Sequence, residues 1–303
     1  MKHSLIVLFL FSFCAISCKK ELSFSSTQKQ HQVAVKKFEV VMKGVTEKYP
    51  YAKLTDKNLN LINENLKPIL QSYKITFSST LKLEKLPGSE HITVWGFTDA
   101  INAYSAFTRL RKKLESNRKD RVLHDADESF STGNTIYWLK SAFLFRSNRS
   151  PDELSSIKSL FTGDEKKPTM LNWLPIEQFE KYSEIFYSGS FSLYPELVNC
   201  ITGEYRWAEA GLIYACSLGD EIKASEAFEA VYKSQLKNNR IELQDGKAKR
   251  SHRNLQMKFF FYKKDKLTYS VYQIKSFVFG LRGKLSQNFA KAIINELIQV
   301  LPI

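Results

Sequence analysis

A short basic segment in the last quarter of the chain has the residue types needed to bind an anion. It reads KAKRSHR over 247–253, and its Lys and Arg residues are Lys247, Lys249, Arg250 and Arg253. Lysine and arginine donate charge-assisted hydrogen bonds to phosphate and carboxylate groups. The polar stretch 237–256 around it predicts a loop, and we expect this loop to contact an anionic lipid or polysaccharide. A solvated loop without a ligand is the alternative.

The cysteines offer a second kind of chemistry. Near the start of the chain, Lys2 precedes an apolar run over 4–16, which is followed by the small residue Ser17 and then Cys18. This layout is typical of a bacterial lipoprotein export signal, which predicts cleavage before Cys18 and attachment of lipid to its sulfur. An ordinary signal peptide with cleavage nearby is the alternative. Cys200 and Cys216 then remain in an oxidising compartment, where they form either a disulfide or two separate buried thiols.

The other reactive residue types do not form a catalytic or metal-binding motif. No two histidines have the i, i+4 spacing of a zinc-binding helix, and the acidic run after His124 lacks the glycine and the spacing of a calcium loop. There is also no Gly-x-Ser-x-Gly nucleophile motif and no glycine-rich phosphate loop. The sequence therefore predicts no catalytic residue, no metal site and no cofactor.

Two aspartates belong to a repeated segment that decides the predicted architecture. TDAINAYSAF at 98–107 and GDEIKASEAF at 219–228 are identical at five of ten positions. A carboxylate at the start of a helix accepts a hydrogen bond from a free main-chain N–H of the first turn. We therefore predict that Asp99 and Asp220 cap two equivalent helices and do not form a catalytic pair. Each helix follows a β-branched and aromatic segment that is typical of a strand.

The order of segments around these helices predicts an internal duplication. We predict an α+β fold with two tandem β-β-α-β-β-α modules and antiparallel sheets, preceded by N-terminal helices over 33–48 and 56–72. A hairpin turn is predicted at 263–266 and a last helix at 284–299. The expected divisions are a signal peptide over 1–17, a flexible tether over 18–32, N-terminal helices and the first module over 33–165, and the second module over 166–303.

The same segments resemble a family of secreted bacterial proteins and lipoproteins classed as a domain of unknown function. The resemblance is carried by LINENLKPILQSYKITF at 61–77, by the segment at 99–107, and by WAEAGLIYACSLGDEIKASEAF at 207–228. It covers most of the chain from residue 50 to residue 299. It implies export and an internal duplication, and it implies no activity.

The charge of the chain limits its partners. The 303 residues include 45 Lys and Arg against 31 Asp and Glu, which gives a net charge of +14. An exported basic protein meets anionic head groups and acidic polymers and does not meet nucleic acid. We therefore expect a lipid-anchored protein of the cell envelope, at the outer membrane or in the periplasm, that binds a ligand or a protein partner. The alternatives are a hydrolase acting on an envelope polymer and a structural partner in an assembly.

Overall fold

A computed structural model describes a large part of the chain. The described residues are 36, 39, 43, 47, 52–56, 66–73, 75–83, 90–115, 123–124, 129–148, 169–176, 179–180, 183–206, 211–237, 239–250 and 253–303. The predicted signal peptide, Cys18 and the tether lie outside these residues, as does most of the predicted helix over 33–48. Among the described residues, no helix combines the length and the apolar composition needed to cross a bilayer.

The described residues from 52 onward form two β-sheets, four α-helices and one 3₁₀ turn at Thr169–Trp173. The first sheet contains β1 (Ala52–Asp56), β2 (Ile75–Leu83), β3 (Glu90–Phe97), β4 (Leu123–His124), β5 (Ser129–Thr132), β6 (Thr135–Lys140) and β7 (Phe143–Ser147). The second sheet contains β8 (Ile185–Ser190), β9 (Val198–Tyr205), β10 (Gly211–Ser217), β11 (Gln244–Arg250), β12 (Arg253–Lys264), β13 (Leu267–Ile274) and β14 (Phe277–Gly283). The helices are α1 (Lys67–Ser72), α2 (Ala100–Glu115), α3 (Glu221–Leu236) and α4 (Gln287–Val300).

The two sheets have the same topology. The spatial order is β1-β2-β3-β7-β6-β5-β4 in the first and β8-β9-β10-β14-β13-β12-β11 in the second. In each, three antiparallel strands are followed by a helix, and four further strands return so that the last one pairs with the third. We call these two halves the first unit and the second unit.

The predicted fold class was wrong. The described chain is mostly antiparallel β-sheet with few helices, and it is not an α+β fold with two β-β-α-β-β-α modules. Each unit has seven strands, and the extra ones include polar edge strands such as β11. The sequence of β11, QDGKAKR, was predicted as a loop, but an edge strand needs little apolar surface. Ala248 is the one residue of this strand that is buried.

The two units also agree in detail. The main-chain N–H of Asn102 donates to Asp99 and that of Lys223 donates to Asp220, both at 2.8 Å, so the predicted helix caps are confirmed. The caps place α2 and α3 equivalently after β3 and β10.

The ring contacts beneath these helices are also the same in both units. The Phe107 ring of α2 lies 5.4 Å from the Phe130 ring of β5, with 57° between the ring planes. In the second unit the Phe228 ring of α3 lies 5.4 Å from the Phe260 ring of β12, with 59° between the planes. Each helix therefore packs on its sheet through the same pair of residues.

The second sheet is covered by a helix on each face. Helix α3 buries Ala224, Phe228 and Val231 on one face. Helix α4 buries an apolar stripe on the other face, made of Ala290, Ile293, Ile294, Leu297 and Ile298. Because both faces are covered, the central strands β13 and β14 are buried along nearly their whole length.

Helix α2 joins the two units. It packs on the first sheet through Phe107 and Leu110, and it also lies along β8, the edge strand of the second sheet. The hydroxyl of Thr108 accepts a hydrogen bond at 3.2 Å from the main-chain N–H of Phe186 in that strand. The Arg111 guanidinium donates to the main-chain oxygen of Glu184 at 3.1 Å. Side chains of α2 therefore satisfy main-chain groups at this edge of the second sheet.

Candidate functional site

The predicted anion-binding segment begins as a strand, so the predicted loop over 237–256 was wrong in this part. Strand β11 is an edge strand and pairs antiparallel with β12, from Gln244 opposite Phe259 to Arg250 opposite Arg253. Successive side chains of a strand point to opposite faces of the sheet. The basic residues of this segment therefore belong to two different surfaces.

Arg250 and Arg253 lie on the face that α4 covers, because they alternate in register with the core residues Ala248 and Leu255. The Arg250 guanidinium donates to the main-chain oxygens of Ile303 at 2.9 Å and Gln299 at 3.4 Å. These contacts tie β11 to the end of α4. Arg250 thus has a structural role, and Arg253 is exposed near it.

Lys247 and Lys249 lie on the opposite face, where both are exposed. The register places Gln256 opposite Lys247 and Asn254 opposite Lys249 on β12. Lys258 follows on the same face of β12 and is half-buried. Sequence reasoning missed Lys258, because only the strand register shows that it shares a face with the two other lysines. We call Lys247, Lys249 and Lys258 the basic face.

The basic face has little negative charge to balance it. Among the described residues, none of its three lysines forms an ion pair. Asp245, opposite Lys258, is the one acidic residue that β11 and β12 place on this side. Residues 244–266, which span β11, β12 and the turn after β12, hold eight Lys and Arg residues against two Asp residues. Their net +6 is a large part of the chain's +14, so the positive charge is concentrated here.

Cys200 and Cys216 lie directly opposite each other on β9 and β10. They form a disulfide, with their Cα atoms 4.0 Å apart, and both are fully buried under α3. The disulfide joins two strands that already pair in the sheet, so it strengthens the core of the second unit. Cys18, the predicted lipidation residue, lies outside the described residues.

The histidines and the capping aspartates are spread over the fold. His91 lies in β3 and His124 in β4, whereas His252 lies outside the described residues. Asp99 and Asp220 start different helices. Within the described part of the chain, no three His, Cys, Asp or Glu side chains come together as metal ligands.

The junction between the two units is another place where a ligand could bind. In the described residues it is filled by side-chain contacts. The Ser188 hydroxyl donates to the Asn102 side-chain oxygen at 2.9 Å, and Arg109 donates to the Tyr187 hydroxyl at 3.1 Å. The basic face is therefore the stronger candidate for a surface that contacts a partner.

No protein-family model matches the chain, and neither the curated proteins nor the solved structures include a significant match. The resemblance to a family of secreted proteins stays a prediction. Function has to be argued from the geometry of the chain itself.

Proposed function

We propose that this chain is a lipid-anchored, non-catalytic protein of the cell envelope whose basic face binds the anionic surface of a membrane. The observation that carries the proposal is the common orientation of Lys247, Lys249 and Lys258 on two adjacent strands, without an ion pair among the described residues. Ammonium groups in this arrangement approach lipid phosphates together. The proposed lipid on Cys18 keeps the protein at the membrane, and the basic face orients the folded body.

The expected strength follows from the number of lysines. Each Lys near an anionic leaflet contributes about 1 kcal/mol. Three lysines therefore contribute about 3 kcal/mol, or roughly a hundredfold in partitioning. Binding through the basic face alone is therefore weak. A lipid anchor and a basic surface together give durable attachment to a membrane.

The experiment uses the chain from residue 19 onward, which carries no lipid, and sediments it with vesicles. Vesicles of phosphatidylcholine alone are compared with vesicles that also contain phosphatidylglycerol. We expect binding only to the anionic vesicles, with a steep decrease as salt is added, since Lys247 and Lys249 are exposed. Replacing Lys247 and Lys249 with Glu should abolish the binding.

The matched control replaces Lys263 and Lys264 with Glu. These exposed lysines lie at the far end of the same strand β12, so the net charge changes equally. We expect this variant to retain most of the binding. Equal losses in both variants would show that only net charge matters, and binding that does not respond to salt would contradict the proposal. Displacement by an acidic polysaccharide alone would assign the surface to a polymer instead.

A further inference from the structure

In each unit a layer of side chains from the sheet packs beneath a helix, α2 in the first unit and α3 in the second. The two layers differ at equivalent positions. The strand registers define which positions are equivalent. Trp95 lies between Ser78 and Leu144 in the first sheet. Cys216 lies in the same way between Cys200 and Val278 in the second. Two residues further along the two central strands of each sheet, a second pair of residues lies on the same face. Thr93 and Arg146 in the first unit correspond to Tyr214 and Gly280 in the second.

In the second unit these positions have no unsatisfied polar group among the described residues. Cys200 and Cys216 form the disulfide. The Tyr214 hydroxyl donates to the main-chain oxygen of Ser270 at 3.0 Å. A Cβ atom at position 280 would overlap the Tyr214 hydroxyl and the Ser270 carbonyl oxygen, so the glycine leaves room for this hydrogen bond. At these four positions, therefore, the polar side-chain atoms have partners.

In the first unit the same positions hold three donor atoms that lack a hydrogen-bond partner within the described part of the chain. Ser78 and Trp95 replace the disulfide, and both are almost completely buried, at 0% and 1% exposure. Among the described residues, the Ser78 hydroxyl, the Trp95 indole N–H and the Arg146 Nε–H have no hydrogen-bond partner. Leaving such a group buried without a partner costs about 1–3 kcal/mol. The second unit shows that the same fold is built without these donors.

The three residues are neighbours in the first sheet. Ser78 is directly opposite Trp95, and Arg146 is one row further along the neighbouring strand β7. Tyr137 lies directly opposite Arg146, and its ring is nearly parallel to that of Trp95, with centroids 6.4 Å apart. The Arg146 guanidinium also donates a hydrogen bond to the Tyr137 oxygen through a nitrogen other than Nε. Burial raises the pKa of Tyr137 more than Arg146 lowers it, so the hydroxyl stays protonated near neutral pH.

One row of the layer is nearer to the solvent than the other. Thr93 and Arg146 are half-buried, whereas Ser78 and Trp95 are buried one row deeper. A small molecule that enters the layer from this row would therefore reach Arg146 before it reaches Ser78 and Trp95. All three are hydrogen-bond donors, and one is a cation. Such a set is complementary to a group that only accepts hydrogen bonds and carries negative charge.

We propose that Ser78, Trp95 and Arg146 form a binding site for an oxyanion, the carboxylate or phosphate group of a small molecule. The site is distinct from the basic face, which lies on the second sheet. It belongs to the first unit alone, since the second unit has a disulfide and a glycine at the equivalent positions.

The experiment titrates the full chain, purified in a non-ionic detergent, with sodium acetate or with inorganic phosphate at constant ionic strength. Calorimetry should show saturable binding of one of the two probes, and the tighter one identifies the oxyanion. Trp95→Phe keeps the ring and removes the N–H, and Arg146→Gln removes the charge. Each should weaken binding at least about tenfold, as expected for a hydrogen bond to a charged group.

The matched control is Arg282→Gln. Arg282 is a half-buried arginine on β14, the equivalent strand of the second sheet, and its Nε also lacks a partner among the described residues. We expect this variant to bind like the parent protein. If Trp95→Phe does not fold, Ser78→Ala tests the site with a smaller change. The absence of saturable binding by either probe would mean that the layer holds only water, and an equal loss in Arg282→Gln would show non-specific binding. Either result would overturn the proposal.

Discussion

Arg111 of the first unit and Glu184 of the second form an ion pair, with 2.9 Å between Nη2 and Oε1. Their side chains are only 3% and 11% exposed. The Arg111 guanidinium also lies 5.6 Å from the centre of the Phe107 ring. The pair therefore connects the core under α2 with the second sheet.

Replacing Arg111 with Met should destabilise the protein by about 3–5 kcal/mol, because Glu184 would be left buried without its partner. Urea denaturation measures this loss. The double variant Arg111→Met, Glu184→Met should recover much of the stability. The control is Lys112→Met, which removes an ion pair with Glu204 whose side chains are 40% and 43% exposed. That change should lower the free energy of unfolding by at most about 1 kcal/mol. Equal losses for Arg111→Met and Lys112→Met would contradict the role of Arg111 as a buried partner of Glu184.

Replacing a glycine with alanine should have a large effect on stability at Gly280 and almost none at Gly189. A Cβ at Gly280 would overlap the main-chain oxygen of Ser270 on the adjacent strand, and backbone atoms cannot move aside cheaply. We expect Gly280→Ala to lower the free energy of unfolding by about 3 kcal/mol. A Cβ at Gly189 would meet nothing within 4 Å, so Gly189→Ala should change stability by less than about 0.5 kcal/mol. Thermal unfolding of the two variants checks the contrast, which equal melting temperatures would refute.

The disulfide should stabilise the second unit by restricting the unfolded chain. It closes a segment with a sequence separation of 16, and a loop of that length predicts about 3 kcal/mol. Replacing Cys200 and Cys216 together with Ala should lower the stability by about that amount in urea. Both cysteines have no exposed surface, so a reductant should act only after the protein opens. Rapid alkylation of these thiols in the folded, unreduced protein would contradict the bond.

Alkaline pH should unfold the protein through its buried tyrosines. The hydroxyls of Tyr194 and Tyr262 are 2.9 Å apart. Burial raises the pKa of Tyr262 to about 12 and that of Tyr194 well above 10. An unfolded tyrosine loses its proton near pH 10, so the folded state binds more protons above that pH. The contribution of these two tyrosines to the free energy of unfolding is therefore fully present below pH 10. It is lost progressively as the pH rises from 10 to 12.

The measurement follows tyrosinate absorbance together with circular dichroism as the pH rises. Tyr262→Phe should reduce the pH dependence of stability within this window, since one raised pKa is removed. Tyr232→Phe is a control, because that half-buried ring also contacts Phe260. Tyrosinate formation well before the loss of structure would contradict the prediction.

Local signals in the sequence predicted part of this fold. The capping carboxylates Asp99 and Asp220 mark the helix starts, because the hydrogen bond they accept comes from a residue three positions away. The hairpin turn near Asp265 is also local, and both Asp265 and Lys266 have positive φ there. In contrast, Ile222 belongs to the repeat but is 72% exposed, so a recurrent residue need not be a buried one.

The fold class and the candidate sites depend on contacts that are distant in sequence. Strand β11 was missed because its pairing partner decides its structure, and only Ala248 faces the core. The division of the basic segment between two faces follows from the same register. Ser78 and Trp95 are seventeen positions apart, and nothing local indicates that the second unit has a disulfide at their place.

The second sheet has two edges, and each discourages association with another molecule in its own way. Along β8, Thr108 and Arg111 occupy main-chain groups that a neighbouring chain would otherwise bond. Along β11, alternate lysines would be brought together with their own copies if two such strands met. Crowded molecules of this protein would therefore stay separate and would not grow into fibrils by adding strand to strand.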